Sequence, residues 1–230
     1  HVYVVDTGLH ASHEEFTSRV GDGFSALDDG RGTSDCNRHG THVAGTIAGS
    51  TYGVAKNTTV HPVRVLDCEG EGVGSGILAG LDWIIANGRS PGVVNLSLGG
   101  GTSDILDLAV ISVIDAGFTV VAAAGNTGSD ACQVSPARVP GVITVGATDI
   151  SDIRPSFSNI GACLDLFAPG ENIKSAYYTS DSADAIARGT SMAAPHVAGA
   201  AALYLQANPE ATPKSVAEFI RDSSTSGKVK

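Results

Sequence analysis

Short runs of consecutive apolar residues, many of them β-branched, recur along the chain. Because these residues follow one another instead of alternating with polar ones, the runs are typical of strands that are covered on both faces, as in a parallel sheet. The runs are Val2–Val5, Val63–Leu66, Val93–Ser97, Val120–Ala124, Val142–Val145 and Leu164–Phe167. They predict six strands of a mainly parallel sheet.

Helical patterns lie between these runs. Ser75–Asn87 places its apolar residues on one face and is followed by Gly88, a typical C-terminal stop. Asp104–Ala116 follows the capping residue Ser103 and ends before a glycine. Each segment is long enough to cross over between two parallel strands.

Two further helices are predicted near the end of the chain. The segment from Thr190 to about Ala207 is apolar on nearly every side, which indicates a central, buried helix. Thr212 followed by Pro213 predicts the start of a last helix that continues through Ile220. Strands that alternate with helices predict an α/β fold with helices on both faces of the sheet. Without an internal repeat or linker, residues 1–230 are expected to form a single domain.

Composition narrows the class of protein. The chain has 42% hydrophobic but only 5% aromatic residues, so its core has to be built mainly from aliphatic side chains. No apolar run approaches the ~20 residues that cross a membrane, and no membrane partner is expected. The net charge of −10 argues against a nucleic-acid partner and favours a soluble surface.

The four cysteines leave several possibilities open. They are Cys36, Cys68, Cys132 and Cys163, and none belongs to a C-x-x-C pair, so a zinc site is unsupported. An even number fits two disulfides in any of three pairings, or four free thiols in a reducing compartment. Composition does not decide between them.

Three short segments combine a reactive side chain with glycine. Asp6 ends the first predicted strand, His39 begins a helix of small residues, and Ser191 lies in the first turn of the buried helix. Serine is a weak nucleophile that needs a base within reach, and the base needs a carboxylate to fix its tautomer. Taken singly, Asp6 is more typical of a turn residue and Ser191 of a helix cap. His39 and His42 could be metal ligands, although no third ligand is evident. Together the three predict a nucleophilic triad.

Other segments fit the same chemistry. Asn126, at a strand end, can donate to the oxygen that becomes charged during acyl transfer, with the Ser191 amide as a second donor. Gly70–Gly76 lacks a complete nucleotide-binding pattern. It and Ser97–Gly101 are free of bulk, so they are expected to hold an extended peptide between them.

With these residues the chain resembles the subtilisin superfamily, and within it the proteinase K family and its aqualysin-like bacterial members. The resemblance covers the chain nearly from end to end, with aspartate, histidine and serine in the family order. The matching segments are Val5–Gly8, His39–Thr46, Thr51–Lys56, Val65–Cys68, Leu96–Gly101, Ala123–Asn126, Ser135–Arg138 and Gly189–Ala193.

The resemblance implies a subtilisin-like three-layer fold and a role for each matching position. Asp6, His39 and Ser191 correspond to the catalytic triad, and Asn126 to the oxyanion donor. The residues that bind substrate correspond to Gly70, Glu71, Gly72, Ser97, Leu98, Gly99, Ala123, Ala124 and Gly125. The last three form one wall of the pocket for the residue before the scissile bond, so apolar-leaning, broad specificity is expected.

The resemblance also implies supporting features. The disulfides would be Cys36–Cys68 and Cys132–Cys163, and structural calcium would be held by Asp165 with the carbonyls of Pro140 and Val142. No catalytic cofactor is implied. A secreted, monomeric endopeptidase is expected, with polypeptide substrates and with its own propeptide as inhibitor and folding aid.

Several features depart from the family pattern. Arg38 precedes His39 where a small or polar residue is usual, and Arg188 lies where Asn or Ser is usual. Both add positive charge that can alter the basicity of His39 or the specificity on the leaving side. The chain is expected to lack the family's N-terminal stretch and its C-terminal tail beyond Lys230. A catalytically silent binding module and an incomplete fragment are the alternative hypotheses.

Overall fold

The computed structural model describes residues 1–230 and contains a central sheet of seven strands. The strands are β1 (Val2–Asp6), β2 (Phe24–Ser25), β3 (Val60–Arg64), β4 (Gly92–Leu96), β5 (Phe118–Ala123), β6 (Ile143–Thr148) and β7 (Leu166–Pro169). Their order is β2-β3-β1-β4-β5-β6-β7, and every neighbouring pair is parallel. The predicted α/β class with a mainly parallel sheet is confirmed.

Five α-helices accompany the sheet: α1 (His39–Ala48), α2 (Gly74–Asn87), α3 (Asp104–Asp115), α4 (Thr190–Ala207) and α5 (Pro213–Asp222). The predicted caps of two helices are in place. The Ser103 hydroxyl accepts a hydrogen bond from the Leu106 amide, and the Thr212 hydroxyl accepts one from the Ser215 amide. Both bonds satisfy amides that have no partner within the helix.

Some predicted boundaries were wrong. The strand expected at residues 63–66 spans Val60–Arg64 instead, because the amides of Val65 and Leu66 both donate to the Asp6 carbonyl and end the ladder. The strand expected at residues 164–167 is β7, which begins two residues later. The sequence analysis also missed β2 and an antiparallel pair, β8 (Ile173–Ala176) and β9 (Asp184–Ala187), because these strands are short and half polar.

The apolar core forms two clusters, one on each face of the sheet. Side chains of α1, α4 and α5 pack in the larger cluster of 27 buried residues, and those of α2 and α3 pack in the smaller cluster of 16. Strand β1 contributes to both, since Val4 lies in the larger cluster and Val5 in the smaller one. Because both faces are covered, polar groups collect where the strands end, and Asp6 is the last residue of β1.

Two disulfides link loops around this edge of the sheet, Cys36–Cys68 and Cys132–Cys163, and no cysteine is free. The pairing is the one that the family resemblance implies. None of the helices has both the length and the apolar character needed to span a membrane.

Candidate active site

Asp6 and His39 meet where strand β1 ends and helix α1 begins. The Asp6 side chain is fully buried, and its two oxygens lie 2.8 and 2.9 Å from His39 Nδ1. The Thr7 amide donates to Asp6 Oδ1 at 2.7 Å. A buried carboxylate at Nδ1 keeps the proton on that nitrogen and leaves Nε2 as the basic site.

Glycine permits this close approach of β1 and α1. A Cβ atom on Gly40 would collide with the Gly8 carbonyl oxygen and would lie 3.2 Å from Asp6 Oδ1. Any other residue at position 40 would therefore push His39 away from its carboxylate. This constraint explains why a glycine directly follows the histidine.

A second carboxylate, Asp35, organises the turn before α1. It accepts hydrogen bonds from the hydroxyls of Thr7 and Thr41 at 2.9 and 2.6 Å. It also accepts from the amides of Asn37, Arg38 and Thr41 at 2.9, 3.0 and 3.0 Å. These bonds hold Arg38 at φ 116°, a backbone conformation that residues other than glycine seldom adopt. The histidine that follows is thus placed by a rigid turn.

The electrostatic surroundings of His39 favour its charged form. Burial is the largest influence and lowers the pKa of His39, because it disfavours a charged ring. The carboxylates of Asp6 and Asp35 act in the opposite direction, and Arg38 contributes a further lowering. The carboxylates prevail, so the pKa of His39 lies above its usual value of 6.5.

Ser191 is tied to the residue after strand β4. Its hydroxyl donates to the Ser97 carbonyl oxygen at 3.1 Å, and the Ser97 hydroxyl donates to the Ser191 carbonyl oxygen at 2.9 Å. The buried Asn95 amide in turn donates to the Ser97 hydroxyl at 2.9 Å. The Ser191 hydroxyl is therefore directed to Ser97 in this structure, whereas catalytic hydrogen bonds commonly tighten only when substrate binds.

Asn126 is oriented by its carboxamide oxygen. That oxygen accepts from the Thr190 amide at 2.8 Å and from the Thr190 hydroxyl at 3.0 Å. The Thr190 hydroxyl accepts from the Gly125 amide at 3.1 Å. Because the oxygen is occupied, the Asn126 amino group is left as the donor. Ser191 lies in the first turn of α4, so its backbone amide has no carbonyl acceptor within the helix.

A cleft of about 910 Å³ brings these groups together. His39, Ser191 and Asn126 line it, as do the two glycine-rich segments predicted to hold substrate, Gly70–Gly72 and Ser97–Gly101. The sequence analysis therefore placed the walls of the cleft as well as its reactive groups.

One expected wall residue does not reach the cleft. Ala123 and Gly125 line it, but Ala124 is fully buried and its amide donates to the Val145 carbonyl oxygen at 3.0 Å. Strand geometry explains the difference, since successive residues point to opposite faces. Asn159, which the sequence analysis missed, lines the cleft instead and donates to the Ala124 carbonyl oxygen at 2.8 Å.

The donors proposed for calcium do not fit a cation in this arrangement. Asp165 Oδ1 accepts from the Arg221 guanidinium at 2.8 Å, and Asp165 Oδ2 accepts from the Thr144 amide at 2.8 Å. Both carboxylate oxygens are thus engaged by donors of the chain, and one donor is itself positively charged. A divalent cation beside Arg221 would be repelled by it, so we assign no calcium to Asp165, Pro140 and Val142.

Sequence patterns did not indicate Asp35, Asn95 or Thr190. Thr190 bonds Asn126 directly, whereas Asp35 bonds Thr7 and Asn95 bonds Ser97, which in turn contact Asp6 and Ser191. Asn95 carried a usable signal, because it interrupts the apolar run of β4 and buried polar side chains need hydrogen-bond partners. Asp35 and Thr190 carried none, since their partners lie elsewhere in the chain.

A parallel sheet that places a buried carboxylate on His39 in the same cleft as Ser191 is typical of the subtilisin class of proteins. The Subtilase family, Peptidase S8, matches residues 1–230. The chain belongs to this family.

Individual relatives support this family assignment. The chain is 60% identical over 230 residues to an extracellular serine proteinase of Thermus sp. (strain Rt41A), covering 100% of the chain and 56% of that protein. It is 53% identical over 227 residues to alkaline serine exoprotease A of Vibrio alginolyticus, covering 99% of the chain and 42% of that protein. The chain therefore spans about half the length of these curated relatives.

A solved structure matches the whole chain. It is the crystal structure of a cold-adapted subtilisin-like serine proteinase, with a TM-score of 0.96 and 52% sequence identity. The match covers 100% of this chain and 83% of the other. At this identity and TM-score the subtilisin-like fold is established.

Proposed function

We propose that this chain is the catalytic domain of a serine endopeptidase in which Asp6, His39 and Ser191 act as the triad. The observation that carries the proposal is the buried Asp6 carboxylate on His39 Nδ1, at 2.8 Å, in the cleft that also contains Ser191. The chain forms one such unit over residues 1–230.

In the proposed reaction the Ser191 hydroxyl oxygen attacks the peptide carbonyl carbon while His39 Nε2 takes its proton. The oxygen that becomes negative is stabilised by the Asn126 amino group and the Ser191 amide. His39 then gives the proton to the departing amine, which leaves an ester on Ser191. Water attacks the ester by the same route in reverse and releases the acid. Besides the substrate and water, these steps use only side chains and amides of this chain.

The substrates are extended polypeptides. Gly70–Gly72 and Ser97–Gly101 both line the cleft and leave backbone room for a peptide. The wall formed by Ala123 and Gly125 is small and uncharged, so it favours apolar side chains before the scissile bond.

The supporting features are proposals of the same kind. Two disulfides are stable in an oxidising compartment, so we place the protein outside the cell. The relatives named as extracellular support this assignment. We further propose a monomer that folds with, and is inhibited by, its own propeptide.

Labelling with a phosphonylating active-site reagent tests the assignment. Peptide mapping should find the label on Ser191, because only an activated serine reacts rapidly. Ser191→Ala should abolish labelling and lower kcat about 10⁶-fold, the size known from subtilisin. Ser151→Ala, at an exposed serine that does not line the cleft, is the matched control and should behave as wild type. A silent binding module would bind peptides without either labelling or turnover.

A further inference from the structure

A second cavity, of about 440 Å³, meets the larger cleft at its reactive groups. The two share Arg38, His39, Asn126 and Ser191 but otherwise have different walls. The glycine-rich segments line only the larger cleft, whereas strand β9 lines only the smaller cavity. A peptide held by the glycine-rich segments and cut at Ser191 must continue into the smaller cavity. We call it the leaving-side cavity.

The leaving-side cavity carries positive charge without an acidic counterpart. Arg38 and Arg188 are among its eleven lining residues, and no aspartate or glutamate is. His42 also lines it, but burial lowers the pKa of His42, and its Nε2 lies 3.0 Å from the Ile173 carbonyl oxygen. The charge of the cavity therefore comes from the two arginines.

Both guanidinium groups are available to a ligand. Arg38 is exposed and forms no ion pair, since Asp35 accepts its backbone amide only. The Arg188 side chain is 72% exposed, and its ion pair with Glu171 is long, at 3.8 Å. Such an exposed, loosely held arginine can turn to a better partner at little cost.

The rest of the cavity suits the aliphatic part of an acidic side chain. Ile186 is 66% exposed on β9, and Tyr177 lies on the wall. Residues of an extended peptide are about 3.3 Å apart, so the first two residues after the scissile bond fall within a cavity of this size. Arginine also binds carboxylates with two parallel hydrogen bonds, which lysine does not.

We propose that Arg38 and Arg188 make the leaving side selective for substrates with glutamate or aspartate within two residues after the scissile bond. The proposal rests on the proposed function and adds a specificity that its small, neutral pocket does not supply. The chain as a whole carries −10, so its overall field repels acidic peptides. Any preference for them must therefore come from local contacts at these arginines.

Three peptides test the proposal. They share the same apolar residues before the scissile bond and differ only at the second residue after it, which is Glu, Gln or Lys. Wild type should cleave the Glu peptide with a kcat/KM about 2- to 10-fold higher than the Gln peptide at low salt, and the Lys peptide more slowly than both. The Glu/Gln ratio should approach one in Arg38→Gln/Arg188→Gln and in high salt.

The ratio removes effects on His39, because both peptides use the same base. Lys214→Gln/Lys228→Gln, at two exposed lysines, removes an equal charge elsewhere and should keep the wild-type ratio. Cleavage with a Glu/Gln ratio of one in wild type, or a ratio that survives the double substitution, overturns this inference alone. Failure to cleave any peptide and to label Ser191 overturns the proposed function and this inference with it.

Discussion

The two sides of Ser191 are built in different ways. The side that would hold the residues before the scissile bond is made of backbone, with Gly70–Gly72 and Ser97–Gly101 as its walls. The leaving side is made of side chains, with Arg38 and Arg188 at its rim and Ile186 on its wall. The first surface can pair with the main chain of any extended peptide, whereas the second distinguishes one side chain from another.

This difference separates turnover from selectivity. In the proposed mechanism, backbone walls and a tightly bonded Asn126 are preorganised, which would lower the barrier for all substrates alike. Exposed arginines contribute little to the barrier and act mainly on the choice of substrate. We therefore expect large effects on rate from changes on the first side and near the triad, and small, substrate-dependent effects from changes on the leaving side.

After Ser191→Ala, the largest effect is expected from Asn126→Leu. It should lower kcat about 10²- to 10³-fold, the size known for this donor in subtilisin, with little change in KM because the oxyanion exists only after attack. Steady-state kinetics on one peptide measure both constants. Asn87→Leu, at an exposed asparagine that ends α2, is the control. A change confined to KM would mean that Asn126 positions substrate and does not stabilise charge.

A smaller effect is expected from the residue before the scissile bond. The pocket wall at Ala123 and Gly125 has no charge, so an ionic side chain there loses its hydration without gaining a partner. Peptides with an apolar residue at this position should be cleaved about tenfold faster or more than those with Lys or Arg. A peptide library with a fixed leaving side measures this. Strict preference for a basic residue would contradict the proposed pocket.

A still smaller effect is expected from Arg38→Gln on pH dependence. Hydrolysis needs neutral His39, so kcat/KM should rise as pH increases through the pKa of His39, which lies above 6.5. Removing the positive charge of Arg38 raises that pKa further and moves the acid limb to higher pH. Arg38→Lys should leave the limb in place. Arg38→Gly is a poor test, because it also relieves the backbone at φ 116°. If the acid limb of kcat/KM did not move in Arg38→Gln, solvent would have to screen the charge of Arg38 fully from His39.

The smallest effect concerns another arginine, Arg221, and its pair with Asp165. In the inactive Ser191→Ala background, Arg221→Met and Asp165→Asn should each lower Tm by about 1–3 °C, because the pair is partly exposed. The double variant should be no less stable than the less stable single variant. Calcium or a chelator should leave these differences unchanged. A Tm that falls with chelator in the parent but not in Asp165→Asn would restore the calcium site.

Local patterns were sufficient for most of the fold. Consecutive apolar residues located six of the seven strands of the sheet, and glycine or capping residues located the helix ends. They were insufficient for β8, where Ser175 and Ala176 are buried beside α1, and for β9, none of whose residues is buried. They also misplaced β3, because His61 and Pro62 interrupt the apolar run in its first half.

The residues of the site show the same contrast between local patterns and long-range partners. Asp6, His39 and Ser191 were found because each stands at a strand end or a helix start with glycine nearby. Asp35 and Asn159 were missed because their roles depend on partners that only the folded chain brings close. Ala124 was misjudged because a sequence motif does not say which face of a strand each residue occupies.

The bond between Arg221 and Asp165 also affects how the protein responds to its medium. A bound metal ion is lost on dilution or to a chelator, since its occupancy follows its free concentration. A guanidinium on the same chain keeps a fixed effective concentration beside its partner wherever the protein is released. Mobile salt, in contrast, screens partly exposed charges. The contribution of this ion pair to the attachment of α5 therefore falls as ionic strength rises.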